Sequence, residues 1–248
     1  MKTLRPQLWR GLSRWFYFAI MAAIGLTCIS MIQPVLHTLQ QGRPFQQGYH
    51  EELFTTALSS DFLSAFLPVL AAIPLSAGYL EDIKSKFARF FVIRGGYAWY
   101  LVSIFLACFI VGGTVILMGT LCAYGLTSLV FLPLERIAEN PPDLAAQIGQ
   151  QFFLLFLNGG LWAVLGMTMS TIMESKYIAY ASPFIVYYLL VILYERYFPN
   201  AWLLYPKNWL EPEIWPYGVG SAALFLLELT FLCGLVFYIR GKRRLEQL

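Results

Sequence analysis

The sequence predicts an all-helical polytopic membrane protein with six transmembrane helices, and three observations carry that prediction. First, the 248 residues are 58% apolar and only 12% charged, whereas soluble domains run near 45–50% apolar and about 25% charged. The mean hydropathy is +0.62, and a soluble fold of this length still needs a wet surface. Second, the apolar residues lie in long continuous runs. Only helices and closed barrels satisfy their own backbone in lipid, and barrels need short alternating strands. Third, the lysines and arginines gather on alternate flanks of those runs.

A crossing helix needs about 20 mostly apolar residues. Six stretches qualify, at residues 15–32, 62–78, 97–126, 152–173, 177–197 and 217–239 of one transmembrane domain, 1–248. The first follows Lys2, Arg5, Arg10 and Arg14. Its apolar core is longer than that of a secretory signal and leaves through SMIQPVL without a small-x-small cleavage site, so it reads as a retained span. Before it, Leu4, Leu8, Leu12 and Phe16 recur every four residues, with Arg5, Arg10 and Arg14 beside them. This pattern reads as an amphipathic N-terminal helix or as a plain basic anchor. Pro74 and Pro183 are expected to bend the second and fifth spans.

Orientation follows from the basic residues. One set of flanks holds Lys2, Arg5, Arg10, Arg14, Lys84, Lys86, Arg89, Arg94, Lys176, Arg240, Lys242, Arg243 and Arg244. The opposite loops hold only Arg43, Arg136, Arg196 and Lys207, and their acids are Glu51, Glu52, Asp61, Glu135, Glu139, Asp143, Glu195, Glu211 and Glu213. Both termini and the segment 79–99 are therefore expected in the cytoplasm.

That segment, YLEDIKSKFARFFVIRGGYAW, places six charges between two apolar runs. On a helix spanning 80–94, Leu80, Ile83, Phe87, Phe90 and Phe91 share one face. Glu81, Asp82, Lys84, Ser85 and Arg89 fill much of the rest, and the spacing predicts Glu81–Lys84 and Asp82–Lys86 ion pairs. Gly95-Gly96 offers a helix stop. Such a helix serves as an interfacial element on lipid headgroups or as a docking element for a partner.

Within the membrane, Glu228 stands mid-span in ALFLLELTFL. A carboxylate there costs roughly 2.5–3.5 kcal/mol on insertion scales. It reads as a protonated or hydrogen-bonded structural residue within the bundle, or as a polar point on a pathway or a dimer contact. Asn158-Gly159-Gly160 and Gly112-Gly113 interrupt two spans, either for close packing through small residues such as Gly159 and Ala163 or as hinges.

Several function classes are excluded or weakened. The net charge of +3 is mild and no nucleic-acid recognition motif occurs, so no nucleic acid is expected as partner. Cys28, Cys108, Cys122 and Cys233 lie apart in apolar runs and make no metal or redox pattern. The histidines are His37 and His50, both placed outside; no His-Glu-x-x-His or Gly-x-Ser-x-Gly is present, and His50-Glu51-Glu52 reads as solvated loop. No metal site, bound cofactor or catalytic residue is expected. No phosphate-binding G-x-x-x-x-G-K-[ST] occurs either.

With Glu81-Asp82, Ser85-Lys86, Phe87–Ile93, Arg94 and then Tyr100-Leu101-Val102-Ser103, the chain resembles the permease subunits of ATP-binding-cassette exporters, type-2 branch. It departs from the pattern at Ser85, where glycine is usual, and at Ile104, where lysine is usual. The resemblance implies six spans, a connecting helix at the N-terminus and a cytoplasmic coupling helix at about 80–94. It implies coupling to a separate ATPase through Glu81, Asp82, Lys84, Lys86, Phe87, Arg89 and Arg94, and through a second element at Glu174-Ser175-Lys176. ATP and magnesium would then bind the partner ATPase, a second permease copy would complete a homo- or heterodimer, and the site would be a bacterial plasma membrane. Phe198–Pro216, FPNAWLLYPKNWLEPEIWP, resembles the outer re-entrant segment before the family's last span; its tryptophans also fit an ordinary aromatic belt. Export of an amphipathic or apolar cargo is the expected function, with Glu228 and Asn158 as intramembrane polar candidates. An ion-coupled carrier is the alternative, and an intramembrane enzyme a more distant one.

Overall fold

A computed structural model describes residues 4–12, 14–41, 45–136 and 145–246, apart from the side chains at 14, 94, 95 and 145. Among the described residues the helices are α1 (Leu4–Gly11), α2 (Arg14–Gln40), α3 (Tyr49–Leu58), α4 (Asp61–Ala72), α5 (Gly78–Lys84), α6 (Ala88–Phe131), α7 (Ala145–Met173), α8 (Lys176–Ile192) and α9 (Val219–Leu245). No strand accompanies them; the one bridge joins Gln46 and Arg136. Five helices are long and apolar enough to cross a membrane, and the bent pair α3–α4 would make a sixth.

The helices are layered around α7. Of its most apolar window 72% is buried, against 28% in α2, 22% in α8 and 28% in α9. α7 is therefore the core, while α2, α8 and α9 turn large apolar side chains such as Phe18, Leu189 and Phe231 outward. Apolar surface on that scale is not tolerated on soluble monomers, and it fits a multi-pass membrane protein.

α6 and α7 approach closely. A Cβ on Gly112 would lie 2.3 Å from Ala163 Cβ, and one on Gly159 would lie 2.8 Å from the Gly112 carbonyl oxygen. The paired glycines thus let two backbones meet, the packing reading of the two foreseen.

The second span departs from expectation. The helix expected over 62–78 ends at Ala72, and Pro74 sits in the turn that follows. At 12 residues, α4 is about 18 Å long, short of an apolar layer about 30 Å thick. Ser60 adopts an extended backbone and its hydroxyl caps Leu63 N–H, so the chain breaks there. The result is a bend of 69° between α3 and α4. The expected stop at Gly95-Gly96 is found: Gly96 has φ 76° and ψ 161°, interrupting α6 before its apolar stretch. Its φ demands glycine.

Glu228 also departs from the structural reading. It lies exposed on α9, outside the bundle interior, with no hydrogen bond or ion pair among the described residues. Between α8 and α9, three 3-10 turns, Trp202–Leu204, Pro206–Leu210 and Pro212–Ile214, close one end of the bundle. Trp209 and Trp215 are buried there, so these two rings form packing, not a belt. Trp209 stacks on Trp162 of α7 with centroids 5.8 Å apart. The Trp209 and Trp215 indole N–H groups donate to the Leu203 and Asn208 carbonyls respectively, 2.8 Å each.

Candidate functional site

The charged strip is not one helix. α5 ends at Lys84, and the Ser85 hydroxyl donates back to the Glu81 carbonyl at 2.7 Å. Lys86 then takes a left-handed backbone, φ 60°, before α6 begins. Ser85 stays right-handed at φ −81°, so glycine is not required at position 85; the reversal falls one residue later. The continuous apolar face expected over 80–94 is broken at the same point. Leu80 is buried, whereas Phe87 and Phe90 are exposed.

The ion pairs within the strip are also replaced. Asp82 is 1% exposed and does not reach Lys86. It pairs with Arg10 of α1 and accepts from the Tyr100 hydroxyl of α6 at 2.7 Å. The Arg10 guanidinium also donates to Glu81 at 3.0 Å. Burial disfavours the charge on Arg10, but Asp82 and then Glu81 outweigh it and hold its pKa above the ordinary value. One basic side chain thereby joins the N-terminal helix to the strip, with the expected Glu81–Lys84 pair set aside.

Two further contacts extend this network. The Tyr79 hydroxyl donates to the Gly241 carbonyl of α9 at 2.9 Å, and its ring meets Phe237 edge-on at 5.0 Å. Lys84 donates to the Glu174 carbonyl at 3.3 Å, and the Glu174 carboxylate pairs with Arg244. Glu174 is the second non-glycine residue with a left-handed backbone, φ 58°. The two turns expected to face a partner therefore meet, and each is built on a residue type that disfavours its conformation.

Of the expected partner-facing residues, Glu81, Lys84, Lys86, Phe87, Arg89, Glu174 and Lys176 are exposed and Asp82 is not. Lys176 lies 5.6 Å from the centroid of the Tyr177 ring. The Arg94 side chain lies outside the described residues. Asn158 is buried at the other candidate site, and its Oδ1 has no hydrogen-bond partner. It borders a cavity of about 20 Å³ with Ser64, Trp162 and Tyr187, which is room for about one water.

At the opposite end, His50 is buried and not solvated loop. Its Nδ1 lies 2.7 Å from Glu135 Oε1. The same carboxylate accepts the Gly48 and His50 backbone N–H groups at 2.9 Å each, capping α3. Burial raises the Glu135 pKa, but these bonds outweigh it and hold it below the usual carboxylate value.

Sequence reasoning missed Arg10, Tyr79, Tyr100 and Glu135 as connecting residues. Arg10 sat among basic anchors and Tyr100 within an apolar span; neither pattern names a partner. α3 carries a local signal: Tyr49, Leu53 and Ala57 fall at four-residue steps, with Glu51-Glu52 in the first turn. Comparison of the chain with models of protein families, with curated proteins and with solved structures finds no match.

Proposed function

We propose that the chain is the membrane subunit of an ATP-driven exporter of the ATP-binding-cassette type, lying in the plasma membrane with both termini cytoplasmic. It works with a separate ATPase that binds ATP and magnesium, and with a second permease copy. The observation that carries the reading is the wiring of α5. Its outer residues, Glu81 and Lys84, are exposed, as is Lys86 in the turn that follows. Its inner residues, Tyr79 and Asp82, are bonded to α9, α1 and α6. A force applied to the outer face passes into three other helices without first being lost in side-chain freedom. Interior packing transmits such displacements because it is dense.

An interfacial helix on lipid has no need of these bonds, and a carrier with its own ion site would show clustered intramembrane ligands. Glu228 is instead exposed, and among the described residues no group of three metal-ligating side chains is found. The many aromatic side chains within the spans suit an amphipathic or apolar cargo such as a peptide, lipid or drug-like molecule.

The test is ATP-dependent transport in inside-out vesicles holding the chain and its ATPase, with the Lys84→Glu, Lys86→Glu double variant beside the wild type. Transport by the wild type, and ATP hydrolysis without transport in the variant, are expected. Absence of any copurifying ATPase sinks the reading, and so does full transport by the variant. Asp82 is unsuitable for charge reversal, because a lysine there would be buried against Arg10.

A further inference from the structure

Glu228 is the one charged residue between positions 219 and 239 of α9. It stands roughly 13 Å along the helix from Val219 and roughly 16 Å from Ile239. A carboxylate on two methylenes reaches water at neither end. The residue is exposed on the outside of the bundle, with no hydrogen bond or ion pair among the described residues. Lipid chains offer it neither donor nor acceptor. Ionisable residues within membranes face a bundle interior or a water-filled cavity, or pair with one another. A single chain gives Glu228 no partner, so the group that satisfies it comes from outside the chain.

The residues around Glu228 form a seam. Leu224, Glu228, Phe231, Leu235 and Tyr238 follow one another at alternating steps of four and three. This is the spacing of helices that supercoil in pairs, and most transmembrane bundles pack in the same way. Leu224, Phe231 and Leu235 are all exposed, so one chain leaves the seam uncovered. Beside it, a groove of about 250 Å³ runs between α6 and α9, apolar except for Tyr238. A Cβ on Gly234 would lie 2.6 Å from the Phe105 ring, so the glycine lets the two helices close the floor of the groove. The face therefore carries protruding side chains and a hollow next to them, as knobs-into-holes packing requires.

We propose that this face of α9 docks a second copy of the chain, with Glu228 hydrogen-bonded to Glu228 of the second copy. The basic flanks insert both copies the same way. The two-fold axis of the pair then runs along the membrane normal, and each seam residue meets its counterpart at the same depth. One carboxyl, carrying a proton, donates to the other, which accepts. A single polar residue in such a seam fixes register and oligomer state, and Glu228 is the one charged residue in this seam. Lipid filling the groove leaves Glu228 unsatisfied, and an unrelated protein needs a donor at this one depth. A second copy brings one by symmetry. The inference rests on the proposed function only for the second copy, and it requires no ATPase.

The experiment is energy transfer between donor- and acceptor-labelled full chains in vesicles, followed as the vesicles are diluted with lipid. Glu228→Gln keeps a donor and an acceptor and should associate as the wild type does. Glu228→Leu should associate about three- to thirty-fold more weakly, the range for hydrogen bonds between transmembrane helices. Neither variant should lower the thermal midpoint, because the side chain has no partner within the chain. Disulfide trapping maps the face. With Cys28, Cys108, Cys122 and Cys233 replaced by alanine, Phe231→Cys and Leu235→Cys should cross-link between copies. Val236→Cys, exposed on the other flank of α9, should not. No association of the wild type, unchanged association of Glu228→Leu, an equal loss in Glu228→Gln, or cross-linking at Val236 as strong as at Phe231 would each overturn the proposal. Glu228-dependent association without a copurifying ATPase would uphold it and sink the exporter reading. A copurifying ATPase with association indifferent to Glu228 would sink the seam alone.

Discussion

The two ends of the bundle use charge differently. At the basic end, Asp82, Arg10 and Tyr100 form a buried network across three helices, and Arg10 lies 72 positions from Asp82 in sequence. At the other end, Glu135 also reaches across 85 to 87 positions of sequence but serves one helix only: it caps α3 with two backbone N–H bonds and holds His50. The surrounding packing there is aromatic, with Phe45 4.8 Å from Tyr49 and 5.6 Å from Phe131 between ring centroids. One end is wired so that distant elements move together. The other is capped so that one short helix persists. Charge confined to a helix cap stabilises locally, whereas charge shared across helices couples them.

The strongest way to break that contrast is Arg10→Ala. It leaves Asp82 buried with only the Tyr100 hydroxyl, and removing one partner of a buried pair costs about 3–5 kcal/mol. The lower end is expected, because the Arg10 side chain is 33% exposed. Thermal denaturation in detergent measures it. Glu81→Gln in the same assay should cost under about 1 kcal/mol, since that pair is exposed. Equal effects of the two variants would remove Asp82 from the centre of the network.

Glu135→Gln should cost about 1.5–3 kcal/mol, the scale of hydrogen bonds to a charged group, and should lower protection of the α3 amides in hydrogen exchange without affecting α5. Its pH dependence has a definite sign. The folded pKa is depressed, so the carboxylate contributes stability above its ordinary pKa and loses it as pH falls through the folded value. Wild-type thermal midpoints should therefore fall on acidification through and below the usual carboxylate range, and Glu135→Gln should remove that part of the fall.

A smaller effect, of opposite direction, is expected at the reversal beside the network. Lys86 at φ 60° bears a left-handed cost of roughly 1–2 kcal/mol, which Lys86→Gly should partly recover as a higher thermal midpoint. No rise would mean that Lys86 makes compensating contacts. The smallest effect is Glu174→Gln. Its side chain is 72% exposed opposite Arg244, so a change below about 1 kcal/mol is expected. A larger loss would extend the wired region to the turn between α7 and α8.

Much of the architecture was legible because hydropathy and charge are local. The long apolar runs, the glycine stop at Gly96 and the small residues between α6 and α7 needed no partner to be read. The bent α3–α4 pair was not legible as such, because apolar composition over 62–78 does not register a capped break at Ser60. Asp82 was misplaced for a related reason: helical spacing offers Lys86 at four residues, but the turn at 85–87 moves Lys86 away and brings Arg10 close. Nothing local marks His50 as buried, because its partner, Glu135, is 85 positions distant.

By itself, then, the sequence determined that this is a helical protein with apolar spans, basic flanks on one side and a compact charged strip between two spans. Those follow from transfer free energies and helical periodicity, which each segment carries alone. Only the tertiary structure decided which charges are buried and which helices they join. Pairing and enclosure depend on residues far apart in the chain, and no local pattern encodes their meeting.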